Sequence, residues 1–178
     1  MIHELGDVRL RLPEPSDIDA LYRIKNDPEL AALLGGHGRG YSRADLADWI
    51  SSHRSRRDEV LWVVVDSASE QCIGHVGLYC IDHRVRKAEF GILLERGSWG
   101  RGLGRRLTSF AIEYGFRELA LSRIELNLLA SNARALKTYL ACGFVEEGRL
   151  RRAQFKNGRF EDVVWMGLLA DEYRATSS

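Results

Sequence analysis

Apolar and polar positions change period several times along this chain of 178 residues. Val8-Arg9-Leu10-Arg11-Leu12 alternates apolar and basic residues, the period-two pattern of a half-buried strand, and Pro13 and Pro15 end it. Ser16, with Asp19 three residues on as a weaker capping box, predicts a helix with Ile18, Leu21, Tyr22 and Ile24 on its apolar face. Asn26-Asp27-Pro28 interrupts or kinks that helix, and the glycine-rich run 35–40 follows. Ser42 and Asp45 cap a second helix carrying Leu46, Trp49, Ile50 and His53 at helical spacing.

Two strands come next, Val60–Asp66 and Cys72–Ile81, joined by the polar turn Ser67-Ala68-Ser69-Glu70. His83-Arg84-Val85 reads as a turn into a strand over Lys87–Leu94. A helix beginning near Leu103 carries Leu107, Phe110, Ala111 and Tyr114 on one face. A strand over Arg123–Leu129, a helix over Asn132–Ala141 and a hairpin turning at Asn157-Gly158 complete the pattern. The order β-α-α-β-β-β-α-β-α-β-β predicts an α/β protein of the α+β kind, a mixed sheet with helices on its faces. Nothing reads as a repeat or a linker, so one domain over 1–178 is expected.

Composition narrows the class. Hydrophobic residues make up 45% of the chain and charged residues 29%, with three prolines, which excludes disordered and collagenous chains. The longest wholly aliphatic or aromatic run, Leu61–Val65, is far short of a membrane span. No apolar segment follows the acidic N-terminus (Glu4, Asp7), so no secretory signal is expected. Three scattered cysteines build no disulfide framework, and the cytoplasm is the expected compartment. A net charge of +1 argues against a nucleic-acid surface. The balance is uneven, with the second half more basic than the first, so an anionic ligand is sought there. Cys72 and His75 form a lone C-x-x-H with no partner pair, so no metal is expected. Cys142 reads as a small buried hydrophobe, Trp62 and Trp165 as core, and Arg54-Ser55-Arg56-Arg57 as a solvated helix end.

The strongest chemical signal is Gly97-Ser98-Trp99-Gly100-Arg101-Gly102-Leu103-Gly104, a glycine-rich loop running from a strand into a helix. Its backbone amides, with the positive end of the helix, suit a phosphate or diphosphate. No Lys followed by Ser or Thr makes it a P-loop. Gly100-Arg101-Gly102-Leu103-Gly104 is one residue short of a dinucleotide fingerprint, which disfavours an NAD-dependent oxidoreductase. The second signal is Asn132, Ala135, Tyr139, Gly143 and Phe144. Asn132 reads as an N-cap, Gly143 as a residue just past a helix end, and Tyr139 as a core or cleft residue two turns beyond Asn132.

Together these resemble the two motifs of the GNAT superfamily of acetyl-CoA-dependent N-acetyltransferases, [QR]-x-x-G-x-[GA] followed by N-x-x-[AS]-x-x-x-Y-x-x-x-G-F. Trp99, Gly102 and Gly104 occupy the first motif, with Trp99 where Gln or Arg is usual. The resemblance spans nearly the whole chain. Ala88-Glu89-Phe90-Gly91-Ile92 and the Asn157-Gly158-Arg159 hairpin are similar to the branch of ribosomal-protein and spermidine N-acetyltransferases.

The resemblance implies a GNAT fold and transfer of an acetyl group from acetyl-CoA to a primary amine in a ternary complex. The acceptor would be a protein N-terminus, a polyamine or an aminosugar. Backbone groups of Ile92, Leu93 and Leu94 would pair with the pantetheine arm. Amides of Arg101, Gly102, Leu103, Gly104 and Arg105 would hold the diphosphate, with Trp99 as a side wall, Asn132 near the thioester end, and Gly100 and Ala135 as further cofactor-binding positions. Tyr139 would protonate the departing thiolate, and Glu89 would take the amine's proton. A salt bridge from Glu89 to Lys87 or Arg123 is the structural alternative. The acceptor groove is expected between the 35–40 loop and the Asn157 hairpin, and a homodimer is compatible with the fold. A non-catalytic acyl-CoA sensor on the same fold is the other functional reading.

Overall fold

The structure, a computed structural model, describes residues 2–35, 39–53 and 55–176. Of the sequence features singled out above, Gly36, His37, Gly38 and Arg54 lie outside the described residues.

One hairpin, β1 (His3–Leu5) with β2 (Val8–Arg11), opens the chain. Three short helices follow, α1 (Ile18–Lys25), α2 (Pro28–Leu33) and α3 (Arg43–His53). Then come β3 (Val60–Asp66), β4 (Cys72–Asp82), β5 (Lys87–Leu94), α4 (Leu103–Arg117), β6 (Arg123–Leu129) and α5 (Ala133–Ala141). The hairpin β7 (Val145–Lys156) and β8 (Arg159–Leu169) leads into α6 (Ala170–Thr176). All eight strands form one sheet in the order β1-β2-β3-β4-β5-β6-β8-β7.

Strand β3 shows how the sheet is covered. Its Trp62 and Val64 face a core built with Leu103, Leu107, Ala111 and Ile112 of α4, while Val63 and Val65 meet Leu21 of α1 and Leu46 and Ile50 of α3. Both faces are dry, so the strand reads as a continuous apolar run and not as an alternation. Helix α4 carries the largest load, with Leu107 and Ala111 fully buried. Truncating such a leucine to alanine typically costs ~2–5 kcal/mol.

Most predicted elements stand where the pattern put them, and the departures have local causes. Ser16 caps no helix: Pro15–Asp17 is a 3-10 turn, and Asp17 accepts from the Glu14 amide at 2.8 Å while pairing with Arg11. The interruption expected at Asn26-Asp27-Pro28 is present between α1 and α2, and Asp27 also caps α2, accepting from the amides of Glu29 and Leu30. Ser42 and Asp45 form the expected reciprocal cap at the start of α3. The short elements β1 and α6 left too little periodicity to read. Trp165 and Cys142 are half-buried and not core.

The feature that positions a site is the β5–β6 seam. The two strands pair in parallel at Lys87↔Arg123, Ala88↔Ile124 and Glu89↔Glu125, and then separate. From Phe90 onward β5 has a strand partner on its β4 side alone.

Candidate active site

A groove of about 430 Å³ opens where β5 leaves β6. Its walls take in the backbone of Phe90–Leu94, the loop into α4, the start of α5 and the end of α2.

The loop takes its shape from glycine. Gly100 and Gly102 have φ of +80° and +73°, values that a side chain strains, and Gly102 is the N-cap residue of α4. Nothing lies within 4 Å of where a Cβ would stand on either, so the space before their backbone is open. The loop is fastened from behind. Arg101 donates to Asp7 and Asp66, each at 2.7 Å, and Arg106 donates to Asp7. These arginines hold the Asp7 carboxyl below the usual carboxylate range. Asp66 falls to about 2 because the Ser69 amide and then Arg101 donate to it. Arg101 therefore ties the loop to two strand turns, and it is absent from the groove lining.

Helix α5 forms the opposite wall. Asn132 caps it by accepting from the Ala135 amide at 3.2 Å and donates across to the Leu33 carbonyl of α2. Arg134 lays its guanidinium over the Trp99 ring, 3.2 Å from the centroid, and partial burial lowers its pKa. The Trp99 indole donates to the Leu94 carbonyl at 3.3 Å and packs against Ile24, Leu30 and Leu93.

Tyr139 sits near the apex of the split, edge-on to Phe90 and Phe144. Burial pushes its phenol up to about 12, so it is protonated at neutral pH. Glu89, one residue before Phe90, is the last residue paired with β6. Strand alternation puts its side chain on the α1/α3 side of β5, opposite Phe90 and Tyr139. Neither salt bridge considered for it forms. Lys87 and Arg123 both donate to Glu125 instead, each at 2.8 Å, because Glu125 stands two residues beyond Arg123 on the same face of β6 and diagonally across the seam from Lys87.

Beyond Glu89 on that side, Tyr79 lies across Gly77 and Gly91, where an added Cβ would meet its ring at 3.0 Å. Its hydroxyl is 3.4 Å from His75 Nδ1. Burial, then the charges of Lys25 and His53, push His75 well below the usual histidine value. His75 thus belongs to a packed polar cluster, and no group of three metal-ligating side chains converges among the described residues.

Of the site residues read from the sequence, Ile92, Leu93, Leu94, Trp99, Gly100, Gly102, Leu103, Gly104, Arg105, Asn132, Ala135 and Tyr139 line one groove. Glu89 and Arg101 do not. Sequence reasoning missed Arg134 and Thr138, though both share the helix face of Ala135 and Tyr139 at spacings that could have placed them. It also missed Leu30, Leu33 and Leu34: Asp27-Pro28 signals the start of their helix, but nothing in the sequence places that helix at the groove.

The sequence profile of the Acetyltransferase (GNAT) domain matches residues 7–145. A spermidine N(1)-acetyltransferase of Vibrio cholerae is 40% identical over 168 residues, covering 94% of this chain and 96% of that protein. One from Escherichia coli K12 is 31% identical over 169 residues, covering 94% and 89%. Among solved structures, the Vibrio cholerae spermidine N-acetyltransferase in complex with CoA and spermine superposes with a TM-score of 0.87. That pair is 32% identical, covering 94% of this chain and 98% of that one.

Proposed function

This chain belongs to the GNAT acetyltransferase family, and on that premise we propose that it moves the acetyl group of acetyl-CoA onto a primary amine of a polyamine. The observation that carries the reading is the split seam, with β5 backbone lacking a β6 partner along one side, a glycine loop at its mouth and Tyr139 near its apex.

The residues present fit the cosubstrate. Backbone groups of Ile92, Leu93 and Leu94 would hold the pantetheine arm as a neighbouring strand would. Amides of the Gly100–Arg105 loop would hold the diphosphate at the start of α4. The thioester supplies the activated acetyl group. Every other task falls to this chain. The acceptor ammonium has a pKa of about 10 and must lose a proton before its nitrogen can attack. Glu89 takes that proton, directly or through a water, from the side of β5 opposite Tyr139. An N–H at Leu93 or its neighbour faces the negative charge that develops on the carbonyl oxygen. Tyr139 donates its hydroxyl proton toward the sulfur as the C–S bond breaks. A phenol this weakly acidic acts first as a hydrogen-bond donor to developing charge, an interaction made in the transition state alone.

The polyamine assignment rests on the two spermidine-acetylating relatives and the spermine-bound neighbour. A thiol-release assay with acetyl-CoA and a panel of spermidine, spermine, peptides with free N-termini and aminosugars tests it. Turnover is expected with the polyamines. Turnover confined to peptides or aminosugars overturns the acceptor class. Silence with every amine despite CoA binding leaves the non-catalytic sensor reading.

A further inference from the structure

We propose that Arg134 is the side-chain ligand of the cosubstrate's diphosphate, parked on the face of Trp99 until that anion arrives. The proposal rests on the acetyl-CoA reading above and adds a residue to it.

Helix α5 runs beside the glycine loop and touches it at two places. At one, the Arg134 guanidinium lies on Trp99, the residue before Gly100. At the other, Thr138 Cγ2 is 3.8 Å from where a Cβ on Gly104 would stand. The left-handed backbone of Gly100 and Gly102 falls between these contacts and faces open space. An anion on those amides would therefore lie within the span of the Arg134 side chain.

Charge points the same way. Arg101 and Arg106 are neutralised by Asp7 and Asp66 behind the loop, which leaves Arg105 and Arg134 as the groove-lining cations with no carboxylate partner among the described residues. Arg134 forms no ion pair among the described residues, and it lines the groove. Its one strong contact is the indole, which the Leu94 carbonyl and the Ile24–Leu30–Leu93 cluster hold in place. A guanidinium flat on a ring keeps its N–H edge free, and that edge is the part that forks onto two phosphate oxygens. The stacking contact is weak beside a charge-assisted pair, so giving it up opposes little.

The test uses the whole chain and four ligands. Affinities for CoA and dephospho-CoA are measured in wild type, Arg134→Ala and Arg134→Lys. Turnover is compared between acetyl-CoA and S-acetyl-pantetheine, which lacks the diphosphate. One bidentate charge-assisted contact predicts a loss of about tenfold or more in Arg134→Ala, equal for CoA and dephospho-CoA. The acetyl-CoA to S-acetyl-pantetheine ratio of kcat/KM falls by the same factor. Arg134→Lys, which keeps the charge and loses the fork, recovers part of the loss. Unchanged CoA affinity in Arg134→Ala overturns the proposal. A loss confined to CoA, with dephospho-CoA bound as before, also overturns it and assigns Arg134 to the 3′-phosphate. Failure of the wild type to bind CoA would instead remove the acetyl-CoA reading beneath it.

Discussion

The two ends of the β5–β6 seam each open into a cavity of similar size, about 430 Å³ at the groove and about 450 Å³ at the opposite end. Both are lined by cations and apolar side chains. At the far end, Lys87 and Arg123 converge on Glu125, and Arg123 also pairs with Glu147. The backbone there is engaged too: Ser122 donates to the Arg86 carbonyl and Ala170 donates to that of Ser122. At the groove end, the β5 backbone beyond Glu89 has no partner from β6, and Arg134 has an aromatic ring where Lys87 has a carboxylate. Volume does not separate the two cavities. What separates them is unspent polarity, which is costly to maintain unless a ligand completes it.

The sharpest way to break this contrast is Gly102→Val. A branched side chain opposes the φ of +73° and fills the open space before the loop. Losing two or more charge-assisted amide contacts predicts a drop in CoA affinity of roughly 10²–10⁴-fold in a folded protein. Calorimetric titration reads it, and unchanged affinity would mean the groove end is no more a ligand site than the far end.

Tyr139→Phe comes next. The ring packing against Phe90 and Phe144 survives, and the hydroxyl is lost. A positioned acid predicts a fall in kcat of ~10²-fold with KM for acetyl-CoA little changed. Loss of less than about twofold would leave Tyr139 as packing, because transition-state contacts register in kcat.

Glu89→Gln should cost up to ~10² at low pH, where few acceptor amines are neutral, and progressively less as pH approaches the amine's pKa of about 10. A mutant-to-wild-type ratio that stays constant across the pH profile would remove Glu89 from the chemistry.

The smallest effect on activity should come from the far end. Glu125→Gln leaves Lys87 and Arg123 without their shared carboxylate and should cost ~1–3 kcal/mol of stability, read by urea denaturation at neutral pH. KM for acetyl-CoA should stay within about twofold, since the change removes no groove contact. Burial raises the Glu125 carboxyl, but the Lys87 and Arg123 hydrogen bonds outweigh it and the net shift is downward. A carboxyl with a folded pKa below its unfolded value of about 4.3 stabilises the protein above that value. The contribution is lost as pH falls through the folded pKa. Wild type should therefore lose more stability than Glu125→Gln on acidification below about pH 4. Matching acid profiles would show that the seam's ion pairs contribute nothing.

Much of this molecule could be read in one dimension. The bounds of β3, β5 and β6 follow from apolar runs broken by polar turns, and the Asn157-Gly158 turn from its dipeptide. The glycine loop and the Asn132–Tyr139 spacing placed most of the groove lining in advance, because a loop's backbone freedom and a helix's face are local properties. The 3-10 turn at Pro15–Asp17 was misread for an equally local reason: Ser16 has the chemistry of a cap, yet Asp17 found Arg11 and the Glu14 amide. The sequence by itself thus determined the fold class, the glycine loop at the groove and the position of Tyr139. Only the tertiary structure decided that Lys87 and Arg123 belong to Glu125, that Arg101 faces away, that Arg134 faces in, and that α2 covers the groove. Apart from Arg123 and Glu125, two positions apart on β6, those assignments join residues 35 to 99 positions apart. Side chains with several chemically equivalent partners choose among them by proximity, and proximity exists only once the sheet has closed.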